Sequence, residues 1–412
     1  MSSPGGPAGR GGGVLPPQVT AALERDAAVL VSPEELLVGA RRTPVAGRSG
    51  REQLAGLAQE LAAAPAGSLA IGAVPFDPAA PGALAIATDV LRLPRSHRRG
   101  AAVPPSVPGG GGLQVLRSTP RPSPEEHRQA VADAVRRIAA GDLAKVVLAR
   151  SVDVRLRNAP AVADVVERLA AANPTARVLA VPLPAPAGTW LVGATPELLV
   201  RRRGREVVSV PLAGSQPRSS DPAVDATRAA RLVGSDKDRR EHDFVVEAIV
   251  EALRPLCTEV RAPAPELLAT PAVWHLATTI TGRLRDPATT SADLVAALHP
   301  TPAVAGTPRD AAVALIAELE GFDRGCYAGA IGWQDGAGDG EWSVGVRCAE
   351  LAGNRLRLFA GGGIVAGSDP EAELAETSAK LRTVLDALGI EAGVASGRGS
   401  VAGSGGTGRA VG

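Results

Sequence analysis

The 412-residue sequence predicts an α+β fold built on a largely antiparallel sheet. Strand-like runs alternate with long amphipathic helices, and several neighbouring strand runs are joined by short turns of Gly, Asp or Asn. Hydrophobic residues make up 45% of the chain and charged residues 21%, a balance that is typical of a globular protein with a large core. A chain of this length can bury that core in one large domain or in two ordinary ones.

The chain divides by composition and shows no internal repeat. Residues 1–14 and 393–412 are rich in Gly and Ser, so both are predicted to be disordered tails. Residues 95–112 combine Gly, Pro and Arg and are predicted to form a flexible loop or linker. This linker separates an N-terminal portion, residues 15–94, from the larger portion, residues 113–392, which carries all the candidate site residues.

Charge and cysteine content exclude several classes of function. The 44 basic and 43 acidic residues give a formal charge of +1, so no overall field attracts nucleic acid or an anionic membrane. Three cysteines without paired spacing predict neither a disulfide framework nor a thiolate zinc site. The longest uncharged stretch, residues 178–196, is interrupted by prolines and does not predict a membrane helix. Because residues 1–14 also lack an apolar signal segment, we expect a cytoplasmic protein.

The periodicity of apolar residues predicts the main elements in order. A capping box at residues 123–126 begins a helix that Gly141 ends, and a strand starts at Lys145. The later elements are a helix at 162–172, strands at 178–181 and 190–192, a hairpin that turns at Arg203-Gly204, a helix at 235–253, a meander at 327–333, 341–351 and 355–360, and a helix at 369–388.

Lysine is rare in this chain, which makes each copy a site candidate. Only Lys145, Lys237 and Lys380 are lysines among the 44 basic residues. An amine can lose its proton near neutral pH, whereas a guanidinium cannot. Lys145 lies in a strand among aliphatic residues, where burial would lower the pKa of its amine and favour a base. Codon bias with three chance survivors is the alternative interpretation.

A single acid, Glu197, lies in the apolar segment of residues 193–199. Burial there would raise the pKa of its carboxyl and keep a proton on it near neutral pH, so Glu197 is predicted to be a general acid. With Lys145 as the base, the pair suits an addition in which a hydroxyl leaves from the same site.

Three carboxylates on two helices form a candidate metal site. Glu241 lies on the apolar stripe of its helix, so its charge needs a buried partner. Glu373 and Glu376 share one face of another helix with Lys380. Hard ions such as Mg²⁺ take one or two carboxylates together with substrate oxygens and water. A structural ion pair from Glu241 to a neighbouring arginine, and an exposed Glu376–Lys380 pair, are the alternatives.

Two features suit the binding of an anion. Residues 360–363, Ala-Gly-Gly-Gly, are predicted to form a loop that leaves a strand and offers backbone N–H donors near a helix N-terminus. Strand alternation places Arg347 with Ser343 and Gly345 on a face of small residues, where its guanidinium suits a carboxylate. A plain flexible turn and an ordinary edge-strand arginine are the alternatives.

Several ordered segments together resemble the chorismate-utilising enzyme family, most closely its isochorismate synthases. The similarity covers roughly residues 124–388. The segments are KVVLAR from Lys145, VGATPELL through Glu197, PLAGS from Pro211, SDKDRREHDF from Ser235, VWHLAT with His275, HPTPAVAGTP from His299, GFDRGCYAGAIGW to Trp333, VRC with Arg347, and LFAGGGIV followed by EAELAETSAKL. The resemblance implies large antiparallel sheets in a sandwich-like core flanked by helices.

The resemblance also implies a Mg²⁺-dependent, reversible conversion of chorismate to isochorismate, in which water adds at ring C2 and the C4 hydroxyl leaves. Lys145 matches the base that activates water, and Glu197 matches the acid that protonates the leaving hydroxyl. Glu241 and Glu376 match Mg²⁺ ligands, and Glu373 matches one that acts through water. The remaining matches are positions expected to bind substrate: Gly214, Ser215, His275, Ala303, Arg347, Gly361, Gly362, Gly363 and Lys380.

Within this set the resemblance distinguishes two ends of the substrate. Arg347 and the three consecutive glycines match positions around the enolpyruvyl carboxylate. Gly214, Ser215 and Lys380 match positions around the ring carboxylate. His275 matches a position that lines the pocket, with a packed core histidine as the alternative.

Other members of the family remain as alternatives. Salicylate synthases share Lys145 and Glu197 and also eliminate pyruvate, but the Ala303 segment resembles enzymes that stop at isochorismate. Ala213 stands where aminodeoxychorismate synthases carry a nucleophilic lysine, and anthranilate synthases lack the lysine at position 145. A non-catalytic chorismate-binding protein is expected to lose the acid or the base. The family pattern implies a monomer whose product enters siderophore, menaquinone or other aryl biosynthesis.

Overall fold

The computed structural model describes residues 15–95 and 112–391 and confirms the α+β class. The two predicted tails and almost all of the predicted linker lie outside the described residues. No helix in the described ranges is long and apolar enough to span a membrane. The helices are α1 (Pro17–Leu23), α2 (Gly50–Ala63), α3 (Pro124–Ala140), α4 (Val162–Ala172), α5 (Pro222–Gly234), α6 (Asp236–Leu253), α7 (Ser291–Leu298), α8 (Arg309–Leu319) and α9 (Pro370–Ala387).

The strands alternate with these helices along the whole described chain. They are β1 (Ala28–Val31), β2 (Glu35–Pro44), β3 (Leu69–Val74), β4 (Ala85–Pro94), β5 (Val115–Arg121), β6 (Lys145–Leu156), β7 (Arg177–Pro182), β8 (Thr189–Thr195), β9 (Leu198–Arg203), β10 (Glu206–Val210), β11 (Leu212–Pro217), β12 (Cys257–Arg261), β13 (Glu266–Ala269), β14 (Val273–Ala277), β15 (Ile280–Leu284), β16 (Gly306–Thr307), β17 (Ala330–Asp335), β18 (Gly340–Val344), β19 (Cys348–Ala352) and β20 (Arg355–Ile364).

Local capping signals fix the helix ends where the sequence predicts them. The Ser123 side chain and Glu126 form the complete capping box of α3, and Gly141 ends that helix with a left-handed φ of 88°. The side chains of Ser235 and Asp369 each accept a backbone N–H hydrogen bond that caps α6 and α9, one residue before the helix begins. These caps explain why the predicted helix bounds hold to within a residue or two.

One large sheet unites the N-terminal portion with the rest of the chain. All its pairings are antiparallel, and they follow the path β12–β15–β10–β9–β18–β17–β3–β4–β2–β1–β7–β8–β19–β20–β6–β5, with β16 also pairing β6. Strands β11, β14 and β13 form a separate small sheet. Because β1 to β4 lie in the middle of the path, residues 15–94 belong to the same fold as the candidate site.

Two hydrophobic cores anchor the strands that carry the site. One packs apolar residues of α1, α4 and α9 against β6, β7, β8, β19 and β20, with Val152, Leu169 and Leu385 fully buried. The other gathers residues of α2, α3, α6, α7 and α8 around the opposite part of the sheet, including Val245 and Leu148. The first strand of the site, β6, therefore contacts apolar layers on both of its faces.

The sheet turns sharply at two facing corners, and one of them contradicts a prediction. The single strand predicted at residues 341–351 is instead two strands, β18 and β19, separated by residues 345–347. Arg347 has a left-handed φ of 53°, so simple alternation along one strand does not set its direction. The facing corner is the Pro196-Glu197 link between β8 and β9, and the Val344 N–H donates to the Glu197 carbonyl at 3.1 Å.

Candidate active site

A pocket between these corners gathers most of the predicted site residues. Its walls come from the two corners, the bulged strand β11, the loop after α7, and the last residues of β20. The predicted residues that line it are Glu197, Gly214, Ser215, Glu241, His275, Ala303, Arg347, Gly361, Gly363 and Lys380. The others, Lys145, Gly362, Glu373 and Glu376, lie beside these lining residues, as the contacts below show.

Lys145 begins β6 and is fully buried. Its Nζ lies 3.3 Å from Glu241 Oε1. Burial lowers the pKa of the Lys145 amine, and the attraction of Glu241 only partly opposes this effect. Space for the pair exists because Gly363 lacks a side chain: a Cβ there would lie 2.0 Å from Glu241 Oε1 and 3.1 Å from Lys145 Cε. The site thus holds a buried amine with an increased tendency to be neutral.

Glu197 lies at the β8–β9 corner and is 6% exposed. Burial raises the pKa of its carboxyl to about 7, although a hydrogen bond from Leu212 and the charge of Arg347 oppose the rise. The backbone is fixed on both sides, since the Glu197 N–H donates to Thr195 Oγ1 at 3.2 Å and that hydroxyl donates to the Val344 carbonyl at 2.7 Å. Glu197 can therefore hold a proton at neutral pH in a fixed position.

All three lysines of the chain pair with the three candidate metal carboxylates. Lys145 pairs with Glu241 at 3.3 Å, Lys237 with Glu373 at 2.7 Å, and Lys380 with Glu376 at 2.5 Å. Glu241 thus contacts a lysine on another element rather than the neighbouring Arg239 or Arg240. The Lys380–Glu376 pair is the expected i,i+4 contact, but its side chains are only 11% and 17% exposed, so this face of α9 is largely buried.

The carboxylate cluster contains one buried oxygen without a partner. Glu373 Oε1 accepts hydrogen bonds from Lys237 and from Ser368 Oγ, the latter at 2.8 Å, whereas Oε2 has none within the described residues. Burial and the nearby Glu376 raise the pKa of Glu373 to about 7. A Cβ on Gly362 would lie 3.0 Å from Glu373 Oε2 and 3.9 Å from Glu376 Oε1. Crowded carboxylates that disfavour each other's charge are suited to a hard divalent cation.

The three candidate carboxylates are not grouped as a ready-made three-ligand set. Within residues 15–95 and 112–391, no three His, Cys, Asp or Glu side chains group closely enough to hold a metal ion. Burial lowers the pKa of Lys237, but the charge of Glu373, with smaller contributions from Glu241 and Glu376, raises it on balance. The donor set fits a hard cation in its chemistry.

Arg347 is a buried cation that forms no ion pair with a carboxylate of the described residues. It is 7% exposed, its Nη2 donates to His275 Nε2 at 3.0 Å, and its Nε has no partner within the described residues. Burial lowers the pKa of the guanidinium, which shows how unfavourable the site is for an unpaired charge. A ligand carboxylate in the pocket would supply the missing charge and hydrogen-bond acceptor.

His275 connects Arg347 to Ser215. Its Nδ1 lies 3.0 Å from Ser215 Oγ, because the two residues are opposite each other in the β11–β14 pair. Burial lowers the pKa of His275 well below its ordinary value, so the ring is neutral. Since a guanidinium only donates, Nε2 must accept from Arg347 and Nδ1–H must donate to Ser215 Oγ. The Ser215 hydroxyl hydrogen is then free to point into the pocket.

Gly214 makes this arrangement possible. It adopts a left-handed φ of 72° at a bulge between Ala213 and Ser215, and a Cβ there would lie 3.0 Å from the Asp238 side chain. The bulge breaks the regular alternation of β11. Gly214 and Ser215 therefore both line the pocket, as the sequence predicts.

The three glycines at 361–363 form part of β20, which corrects the predicted loop. They lie opposite residues 147–149 of β6. Val147 and Ala149 donate their N–H groups to Ala305 O and Glu320 Oε1, so their pairs with Gly363 and Gly361 are non-hydrogen-bonded. The N–H groups of Gly361 and Gly363 consequently face away from β6, beyond the part of β20 that β19 pairs. The donors come from a strand edge and not from a helix N-terminus.

Comparison with known proteins identifies the family of this site. Residues 110–389 match the model of the chorismate binding enzymes, which is well over half of the chain. The chain belongs to the chorismate-binding enzyme family.

Individual relatives agree with this assignment. The isochorismate synthase DhbC of Bacillus subtilis is 44% identical over 333 residues, covering 78% of this chain and 81% of that protein. MenF of Mycobacterium tuberculosis is 49% identical over 331 residues, covering 78% and 86%. The crystal structure of DhbC from Bacillus anthracis superposes with a TM-score of 0.83 at 38% identity, covering 90% of this chain and 99% of that one.

Tyr327 is a pocket residue of this chorismate-binding enzyme that the sequence reasoning missed. It is the only tyrosine of the chain and is 3% exposed. Its ring stacks on Phe359 with centroids 5.0 Å apart, and its hydroxyl lies 2.9 Å from where a Cβ on Gly361 would be. Burial raises the pKa of the phenol, so it is a neutral donor at the glycine edge. Tyr327 lies in the family-like segment GFDRGCYAGAIGW, and that position could have indicated a pocket residue.

Proposed function

We propose that this protein is an isochorismate synthase that interconverts chorismate and isochorismate. The observation that carries the proposal is a buried acid and a buried amine at one pocket with opposite pKa shifts. Burial raises the pKa of Glu197 to about 7 and lowers that of Lys145 from its ordinary value. Such a pair can give a proton to one group and take a proton from another at neutral pH.

The proposed reaction uses both groups in one addition with loss of a hydroxyl. Lys145 takes a proton from the water whose oxygen bonds to ring C2. Glu197 gives its proton to the C4 hydroxyl, which leaves as water while the ring double bonds shift. Protons and oxygen balance, and the reverse reaction exchanges the two roles.

Substrate orientation is proposed to come from the cationic and hydrogen-bonding groups of the pocket. Arg347, with the Gly361 and Gly363 amides, holds the enolpyruvyl carboxylate, and His275 fixes the orientation of Arg347. Ser215 and Lys380 hold the ring carboxylate, with Gly214 leaving the space. Ala303 lines the pocket as a small apolar contact.

We further propose Mg²⁺ as the cofactor. Glu241 and Glu376 would bind it directly and Glu373 through water, and Gly362 leaves room beside the last two. When bound, the ion supplies positive charge at the ring carboxylate. Lys237 and Lys380, which pair with Glu373 and Glu376, also place positive charge beside these carboxylates.

Product identification tests the function. The purified protein is incubated with chorismate and Mg²⁺, with and without ammonium, and products are separated by chromatography and identified by mass. Isochorismate without pyruvate is expected. Salicylate with pyruvate would establish the salicylate synthase alternative, an ammonium-dependent amine product would contradict water activation by Lys145, and no product would leave a chorismate-binding protein.

Two variants test the residue roles in the same assay. Lys145→Ala is expected to abolish turnover while chorismate binding, measured by calorimetry, persists; unchanged turnover would remove Lys145 as the base. Glu376→Gln is expected to weaken Mg²⁺ binding measured directly by calorimetry, and unchanged binding would remove Glu376 as a ligand. We also propose that the protein is a cytoplasmic monomer. Sedimentation of the purified protein tests the monomeric state.

A further inference from the structure

A second concave site lies far from the active-site pocket on the same strands. It is a groove of about 610 Å³, within the usual range for small-molecule sites. Five arginines line it and define what we call the arginine groove: Arg117, Arg121, Arg155, Arg355 and Arg357. On β6, Arg155 is ten residues from Lys145, about 33 Å at the usual strand rise. The groove is therefore separate from the chorismate site.

The strand register aligns three of these arginines in one row. Arg117 of β5 is opposite Arg155 of β6, and Arg155 is opposite Arg355 of β20. Residues directly opposite in an antiparallel pair share a face and have neighbouring Cβ atoms, so like charges there are destabilising. The row brings together three positive charges, and all three side chains are exposed at the groove.

The protein supplies no counter-ion for this row. Arg117, Arg155 and Arg355 make no side-chain ion pair or hydrogen bond with any described residue. The two acids in the groove are Asp153, which pairs with Arg121 at 3.2 Å and Arg357 at 3.7 Å, and Glu350. Residues 1–14, 96–111 and 392–412 contain no Asp or Glu that could approach the row.

We propose that the arginine groove binds a small anion that carries two or more linked phosphate groups. Neighbouring strands lie about 4.8 Å apart, so the row spans about 10 Å, which exceeds the reach of a single phosphate. A guanidinium group can donate two parallel hydrogen bonds to phosphate oxygens. Binding of the anion would replace the repulsion between neighbouring arginines with these bonds and so stabilise the groove. The whole chain is nearly neutral at +1, so no overall positive field favours a long polyanion, and the groove suits a small ligand.

The test uses the full-length protein with sodium tripolyphosphate as the probe, in Mg²⁺-free buffer with ionic strength held constant by NaCl. Calorimetry measures binding, and thermal unfolding measures stability. We expect saturable binding of tripolyphosphate at least tenfold tighter than that of inorganic phosphate, and a higher melting temperature. No saturable binding, or equal stabilisation by NaCl alone, would overturn the proposal.

Arg155→Gln, in the centre of the row, is expected to raise the melting temperature of the anion-free protein and to lower its affinity for tripolyphosphate. Without the anion its melting temperature is expected to rise at low salt, because two like-charge contacts are lost. Its affinity for tripolyphosphate is expected to fall at least tenfold. Arg355→Gln is the second variant, and Arg51→Gln, an exposed arginine of α2, is the matched control expected to change neither quantity.

Equal affinity in Arg155→Gln, Arg355→Gln and wild type would remove the row as the binding site. Neither readout involves chorismate turnover. A failure here therefore leaves the isochorismate synthase proposal untouched, and the reverse also holds.

Discussion

Two places in this protein bury a glutamate near an arginine, and they differ in whether protein groups partner the buried charges. Glu320 and Arg324, 4% and 3% exposed, pair directly, and Arg324 also donates to the Val304 and Val147 carbonyls at 2.7 and 2.8 Å. Glu197 and Arg347, 6% and 7% exposed, lie at the same pocket and form no ion pair within the described part of the chain. The charges of the first pair are matched by protein groups, whereas for the second pair we propose that a ligand supplies the partner.

The number of hydrogen-bond and ion-pair partners distinguishes the structural buried charge of Arg324 from the candidate functional charge of Arg347. Arg324 donates hydrogen bonds to β6, to the loop that follows α7, and to Glu320 at the end of α8. Its charge is therefore matched by protein groups that stabilise the fold. Arg347 has a buried Nε without a partner among the described residues, and burial raises the pKa of the Glu197 carboxyl to about 7. Burial is similar in both places, and partner satisfaction is what differs.

The largest expected effect separates the two glutamates by activity. Glu197→Gln should lower kcat by about 10²–10⁴-fold, because the amide cannot give a proton to the leaving hydroxyl. Steady-state isochorismate formation measures this. Glu320→Gln is the matched control and should keep kcat per folded molecule within a few-fold while lowering stability. Comparable kcat losses in both variants would show that the two sites are not functionally distinct.

Next in size is the stability difference between the two arginines. Arg324→Met should lower the free energy of unfolding by about 3–5 kcal/mol, because Glu320 is left buried and unpaired. Arg347→Met should leave it unchanged or raise it, since an uncompensated buried charge is replaced by an apolar side chain. Urea unfolding at neutral pH measures both. An equal loss would mean that Arg347 is as well satisfied by the protein as Arg324.

A smaller effect is expected on ligand binding. Arg347→Met should raise the Kd for chorismate about 30-fold, equivalent to about 2 kcal/mol for a buried charged contact. Calorimetry in the Lys145→Ala background measures the Kd without turnover. Arg202→Met, which removes a buried arginine paired with Asp339 away from the pocket, serves as the control. An unchanged Kd in Arg347→Met would place the substrate carboxylate elsewhere.

The smallest expected effect is a pH dependence of stability. The pKa of Glu197 is about 7 in the folded protein against an ordinary 4.5, so between these values the folded state binds one more proton than the unfolded state. Stability conferred by that proton is lost as pH rises through this window, by about 1–3 kcal/mol. Unfolding at pH 5 and pH 8 should show a larger loss for wild type than for Glu197→Gln. Equal losses would mean that the Glu197 carboxyl is not perturbed.

Local sequence patterns were sufficient to predict four of the nine helices in the described ranges, α3, α4, α6 and α9, together with the identity of the chemical groups. The ends of α3, α6 and α9 depend on side-chain caps only a few residues away, such as Ser123 with Glu126, whereas α4 was predictable from its apolar periodicity and the Asn173-Pro174 stop. The segments through Lys145, Glu197 and Arg347 were sufficient to predict the family, which the comparisons confirm.

The contacts between those groups depend on the three-dimensional fold. Lys145 contacts Glu241 across 96 residues, Lys237 contacts Glu373 across 136, and Arg347 contacts His275 across 72. Residues this far apart in sequence are placed by strand register and helix packing, which local periodicity does not encode. The break between β18 and β19 and the glycine edge of β20 have the same origin, because both depend on which strand lies opposite. The sequence specifies which side chains are present, but the fold around them sets their contact partners and their pKa values.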